Sequence, residues 1–148
     1  MEIDNIISYS VNIVFLLPLF LYIKNKDIKL LKIFIIGLLL VLSDNFIKQN
    51  IVKIFPKCNI LYRPEGAFNC NFLNEGGNAS GKPGFPSGHV STASYIMMSL
   101  YLYYKTNIEL SIFYVLVVAF ARLNKKCHNI YQVIGGMIYG YFVAKIFN

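Results

Sequence analysis

With 148 residues the chain has the length of one domain. A composition that is 56% hydrophobic and 14% charged, with a mean hydropathy of +0.53, excludes an ordinary water-soluble globule. A net charge of +7 in a soluble protein would raise nucleic acid as a partner; here the basic residues flank apolar runs, which argues for a membrane surface and against nucleic acid.

Five apolar runs, at about 6–23, 30–47, 90–104, 108–121 and 130–147, are read as helices. They predict an all-α, polytopic membrane helix bundle with about five transmembrane helices, forming a single domain over 1–148. The first run has an acidic lead-in, Glu2 and Asp4, and no small-residue cleavage site, so it is expected to stay as a helix, bent at Pro18. Lys24, Lys26, Lys29 and Lys32 follow it as a short basic loop, which the positive-inside rule puts in the cytoplasm. Asp44 and Lys48, four residues apart near the end of the second run, are read as a helix-end ion pair, with a phosphate-side relay as the lesser reading.

A long polar loop, about 56–86, comes next. Loops of this length carry function or disorder. This one opens near Arg63-Pro64 and closes on Pro86-Ser87-Gly88-His89, so it is read as functional. Its Gly76-Gly77-Asn78-Ala79-Ser80-Gly81-Lys82 has P-loop spacing but is followed by Pro83 where magnesium binding needs Ser or Thr. Cys58 and Cys70 share the loop, as a disulfide if it is extracytoplasmic and as free thiols if it is cytosolic. No cysteine or histidine spacing suggests a metal.

Parity then places both ends of the argument together. With the first basic loop inside, the amino terminus, the long loop and the Arg122–His128 connection all lie on the non-cytoplasmic face. A second basic group, Lys48, Lys53, Lys57, Arg63, Lys82, Arg122, Lys125 and Lys126, gathers on that face against the topology rule and suggests an anionic ligand. Gly136 and Gly140 allow close helix packing inside the bundle.

The only two histidines fall in this setting. Ser87 and Gly88 precede the third helix, whose start offers unpaired N–H groups to phosphate, and His89 can protonate a leaving oxygen. Arg122 ends the fourth helix and supplies a planar fork for phosphate oxygens. His128 and Gln132 open the fifth, four residues apart and so on one face, where Gln132 orients one ring nitrogen and leaves the other as a nucleophile.

These residues resemble the type 2 phosphatidic acid phosphatase (PAP2) superfamily, whose motifs are Lys-x6-Arg-Pro, Pro-Ser-Gly-His and Ser-Arg-x5-His-x3-Asp. Residues 86–89 match the second motif completely, and Arg122 and His128 match the third. Arg63-Pro64 matches the first, with Lys53 and Lys57 both open as its displaced lysine. The resemblance implies a membrane lipid phosphatase acting on a phosphate or diphosphate monoester. His128 would form a phosphohistidine, His89 would protonate the leaving group, and Arg63, Arg122 and the lysine would hold phosphate oxygens. It implies no metal and no cofactor; the partners would be membrane lipids, one of them the phosphorylated substrate. The oligomeric state stays open. Against a family pattern of six spans, this chain would lack the first. It departs from the motif at Ala121, where the family has serine, and at Gln132, where it has aspartate. Restoring a carboxylate at 132 is expected to raise turnover. The alternative is a catalytically impaired relative with a structural or anionic-lipid-binding role.

Overall fold

In the computed structural model, which describes residues 3–71 and 73–148, the chain folds as five α-helices: α1 (Ile3–Asn25), α2 (Ile28–Ile54), α3 (Gly88–Tyr104), α4 (Ile108–Asn124) and α5 (Ile130–Phe147). The described residues contain no strand, only two isolated bridges in the long loop. Glu2, half of the acidic lead-in, lies outside the described residues. Each helix after the first starts where a polar residue meets an apolar run. Asp27 accepts from the Lys29 amide to start α2, and Asn107 accepts from Leu110 to start α4. Asn129 and Gln132 form a reciprocal capping box on α5.

α3 is the central helix and packs on all four others. Its small residues Ser91, Thr92, Ala93 and Ser94 are buried, and α5 meets them with Gly136 and Gly140. A methyl group on Gly136 would lie 2.7 Å from the Ser87 carbonyl oxygen, and one on Gly140 would collide with the Ser91 carbonyl. The two glycines therefore serve packing within the chain. Hydroxyl bonds add specificity between helices: Ser43 with Tyr139, Ser10 with Tyr114, and Tyr95 donating to the Ile33 carbonyl.

The outside of the bundle is apolar. Ile13, Phe20, Leu42, Phe46, Phe113, Phe120 and Phe142 are more than half exposed, a belt far larger than a water-soluble surface carries. α1, α2 and α5 are long and apolar enough to cross a membrane. α3 and α4 have 17 residues each, or about 26 Å at helical rise. Lys29 and Lys32 stack near the Tyr103 ring at the end of α3, and Tyr104 donates to Asp27, which gives that end of the bundle an aromatic and basic border. The Tyr104 bond, with the Lys29 amide, holds the Asp27 carboxyl below its usual range.

α2 runs past its apolar stretch to Ile54, just before the long loop, and Asn50 bonds back to the Phe46 carbonyl. One expectation is corrected here. Cys70 pairs with Cys127 rather than Cys58, which is free. Spacing along the chain gives no sign of this, since 57 residues separate the partners.

Candidate active site

The long loop folds back over the helix ends. The Arg63 amide donates to the Lys82 carbonyl, Gly84 to Leu61, and Ala79 to Ala67, so its two arms run side by side. A small cluster of Ala67, Cys70, Ala79 and Cys127 fixes the loop to the α4–α5 turn. Between loop and helices lies a cavity of about 620 Å³. Asp44, Lys48, Arg63, Lys82, Gly88, His89, Thr92 and His128 are on its wall. The segments around the two histidines thus meet at one end of the bundle, opposite the Lys26 turn.

The turn after α4 accounts for the six-residue interval from Arg122 to His128. The Arg122 carbonyl accepts from both the Cys127 and the His128 amides, with Lys126 in the left-handed region at φ 55°. The chain thereby reverses and delivers His128 to the cavity. Gln132, fully buried one turn into α5, accepts from His128 Nδ1 at 2.9 Å through its Oε1. Its Nε2 donates to the Ile60 and Tyr62 carbonyls at 3.0 and 2.8 Å. Those two carbonyls accept only, so they fix which end of the amide faces His128. Nδ1 must then carry the proton, and Nε2 keeps its lone pair. Arg63 approaches Nε2 at 3.4 Å and donates to the Cys127 carbonyl at 2.9 Å.

Burial first, and then the charges of Arg63, Arg122 and Lys48, hold His128 well below the usual histidine range, outweighing the Gln132 bond. The ring is neutral in the free protein, as a nucleophile must be. Burial also pulls Arg63 down to about 10, which leaves it charged at neutral pH. A depressed histidine loses its neutral form only as pH falls, so the acid limb of kcat/KM is expected below the ordinary value of 6.5. A pH–rate series on two substrates of different phosphate acidity checks this: a limb above 6.5 that is the same for both overturns it.

The other predicted residues lie as follows. Arg122 is wholly buried one layer behind the wall, donating to Ser8, Asn74 and the Cys70 carbonyl. It reaches the histidines through its field. Gly88 is where the backbone of α3 comes nearest Lys48: a Cβ there would lie 3.2 Å from Lys48 Nζ. Ser87 caps α3 by position, but its hydroxyl makes no capping bond, and its amide donates to the Gln132 carbonyl. Lys53 and Lys57 are exposed and off the cavity wall; the lysines on the wall are Lys48, from α2, and Lys82, from the long loop. Asp44 is not ion-paired with Lys48 but accepts from Ser91, in a contact that joins α2 to α3. Glu75 reaches the wall and Glu65 does not. Ala121 is fully buried.

Sequence reasoning placed Lys48 among the basic residues of this face without singling it out as the motif lysine, and it missed Ser8 and the pairing of Cys70 with Cys127. A carboxylate at Asp44 inside an apolar run was a usable signal, because ionisable residues within spans mark functional sites by default. Ser8 had none.

A family model of the PAP2 superfamily matches residues 30–148. The chain belongs to the PAP2 superfamily. No curated protein and no solved structure matches it. Membership places the chain among phosphatases, and with the three apolar helices it places it at a membrane. α1 lies outside the matched residues, yet it supplies Ser8 to Arg122 and Asn5 to Lys125.

In this PAP2 protein both half-cystines hold an arginine: the Cys70 carbonyl accepts from Arg122 and the Cys127 carbonyl from Arg63. Cutting the bridge by Cys70→Ser with Cys127→Ser is expected to cost about 2–5 kcal/mol of stability and to lower turnover several-fold. Thermal unfolding and phosphate release measured in parallel check it. Unchanged turnover would show that the loop holds both arginines without the bridge.

Proposed function

We propose that the chain is a multi-pass membrane phosphatase that hydrolyses a lipid phosphate or diphosphate monoester through a phosphohistidine on His128. The observation that carries this reading is the Gln132 amide, whose orientation leaves His128 Nε2 as a lone-pair donor beside Arg63, in a cavity shared with His89.

In the first step Nε2 attacks phosphorus and the bond from phosphorus to the lipid oxygen breaks. The phosphate enters as its monoanion and its proton passes to His89, which gives it to that oxygen. Arg63 and Lys48, with the α3 amino end, meet the charge on the phosphoryl oxygens, and Arg122 adds positive potential from behind. Water then attacks the phosphohistidine, His89 takes its proton, and inorganic phosphate leaves with His128 restored. The protein's own cations suffice for the charge, so no metal enters the scheme. Phosphatidate-like lipids and polyprenyl diphosphates are the candidate substrates.

The test is phosphate release from a panel of these lipids in detergent micelles, with and without EDTA, beside a His128→Ala control. Release that is insensitive to EDTA and absent in the control supports the reading. Lipid binding without release from any member favours a non-catalytic role, and strong inhibition by EDTA points to metal chemistry.

The site is assigned to the non-cytoplasmic face. The Lys24–Lys32 group at the opposite end favours this, and so does a disulfide beside the cavity, which persists in oxidising compartments. Lys82 and Lys126, both exposed, are expected to label from one side of sealed vesicles and Lys26 from the other. Labelling of Lys82 and Lys126 from different sides would separate the two histidine segments across the bilayer.

A further inference from the structure

α1 is apolar along most of its length, with Ile13, Phe20 and Ile23 more than half exposed, but its first two turns carry polar residues on one face. Asp4 and Ser8 are four residues apart, as are Asn5 and Tyr9, so the four stand in two adjacent rows. All four are engaged with the catalytic end of the bundle. The Asp4 carboxylate accepts from Asn124 Nδ2, Asn5 Oδ1 from Lys125 Nζ, and Ser8 Oγ from Arg122 Nη1. The Tyr9 hydroxyl donates to the Leu73 carbonyl, in the long loop next to Asn74. One face of α1 thus grips the end of α4 and the loop that covers the cavity.

Of these bonds, the one from Arg122 reaches the chemistry. Ser8 is wholly buried, and its hydroxyl donates to the Asp4 carbonyl at 2.8 Å. A carbonyl only accepts, so the Ser8 hydrogen is spent there and a lone pair is left for the guanidinium, which only donates. Arg122 Nη1 donates to it at 3.0 Å; the other acceptor at Nη1, Asn74 Oδ1, is at 3.3 Å. Nη2 donates to the Cys70 carbonyl at 2.9 Å, and Nε is buried with no hydrogen bond. The plane of the group is therefore set at its two Nη ends, and Ser8 makes the shorter bond at one of them. A charge stabilises a transition state best when it is held in place beforehand. We propose that Ser8 is a positioning residue for Arg122, and that α1 is thereby a working part of the catalytic site. The inference rests on the phosphatase reading. It also lies outside what the family pattern assigns, because the matched residues begin at 30.

The experiment follows kcat, KM and the guanidinium groups of the full chain in detergent micelles. Arg63 and Arg122 are the chain's two arginines, so labelling the arginine side-chain nitrogens gives two guanidinium groups by magnetic resonance, and Arg122→Lys assigns them. Ser8→Ala is expected to lower kcat about tenfold, the scale of one hydrogen bond to a charged group, with KM within about twofold. The Arg122 Nη proton signals, distinct in the parent, should merge as the group turns more freely. Ser8→Cys is near serine in size but a poor acceptor, so it should do the same and separate the lost bond from a cavity. In an Arg122→Lys chain, adding Ser8→Ala should cost less than about twofold more, because the effect passes through the arginine. Three results each overturn the inference: a kcat within about twofold of the parent in both serine variants, a loss that the Arg122 signals do not follow, or losses that multiply with Arg122→Lys. Failure of the phosphatase reading registers separately, as no phosphate release from any lipid by the unsubstituted chain. The Arg122 signals then decide alone, and signals unchanged by Ser8→Ala and Ser8→Cys overturn the inference.

Discussion

His128→Ala is expected to abolish phosphate release, a loss of at least about 10⁴-fold or roughly 5.5 kcal/mol of transition-state stabilisation. In the proposed mechanism the whole covalent step passes through Nε2, and no neighbouring side chain replaces it: Arg63 stays charged, and His89 is assigned to the leaving oxygen. The substitution leaves the fold standing. His128 lies in a turn held by backbone bonds from Cys127 and His128 to the Arg122 carbonyl, and Gln132 Oε1 keeps a second donor in the Asn129 amide at 3.3 Å. The melting temperature should therefore move by only a few degrees while release falls to the blank. His89→Ala removes proton transfer but not the nucleophile, so its loss should be smaller, about 10²–10⁴-fold, and least for lipids with acidic leaving groups. A His128→Ala protein that is folded and still turns over would refute the assignment of the nucleophile.

The parts of the site legible in the sequence are those whose geometry is local. The interval from Arg122 to His128 is one reversed turn, and the four residues from His128 to Gln132 span one helical turn. Chain spacing therefore reports spatial spacing for both. The lysine was not legible, because its place depends on how far α2 continues. On a helix that extends to Ile54, Lys48 and Lys53 point about 140° apart, so only one can face the cavity. Counting back from Arg63 through an irregular loop cannot choose between them. The same holds for Cys70 and Cys127, whose pairing needs the loop to have folded onto the α4–α5 turn. The number and order of helices came through well, since the apolar runs and the polar caps at Asp27, Asn107 and Asn129 agree.

Gln132→Asp is expected to lower turnover by about 100-fold, reversing the gain that the family pattern suggests. The motif argument counts only the bond to His128. In the structure Gln132 makes four bonds: Oε1 accepts from His128 Nδ1 and the Asn129 amide, and Nε2 donates to the Ile60 and Tyr62 carbonyls. Aspartate is one methylene shorter and has no donor, so both carbonyls lose the Gln132 bond and keep only Asn129 Nδ2, at 2.9 Å for Ile60 and 3.4 Å for Tyr62. They belong to the segment that leads into Arg63, and the arginine would shift with it. Each lost bond costs about 0.5–1.5 kcal/mol, and with the shift of Arg63 the two outweigh what a stronger bond to the imidazolium returns. Gln132→Glu keeps the reach and separates the two effects. Its second oxygen faces the two carbonyls, which favours a protonated acid, so its folded-state pKa lies above the unfolded value near 4.3. The stability of Gln132→Glu relative to the parent should then be best below about pH 4 and fall as pH rises through that raised value. Turnover and melting temperature of the three proteins between pH 5 and 8 decide the matter. A faster Gln132→Asp enzyme would show that charge on His128 outweighs the tether to Ile60 and Tyr62. A slower one would make Gln132 a working part of this site, adapted to hold the loop and the nucleophile at once.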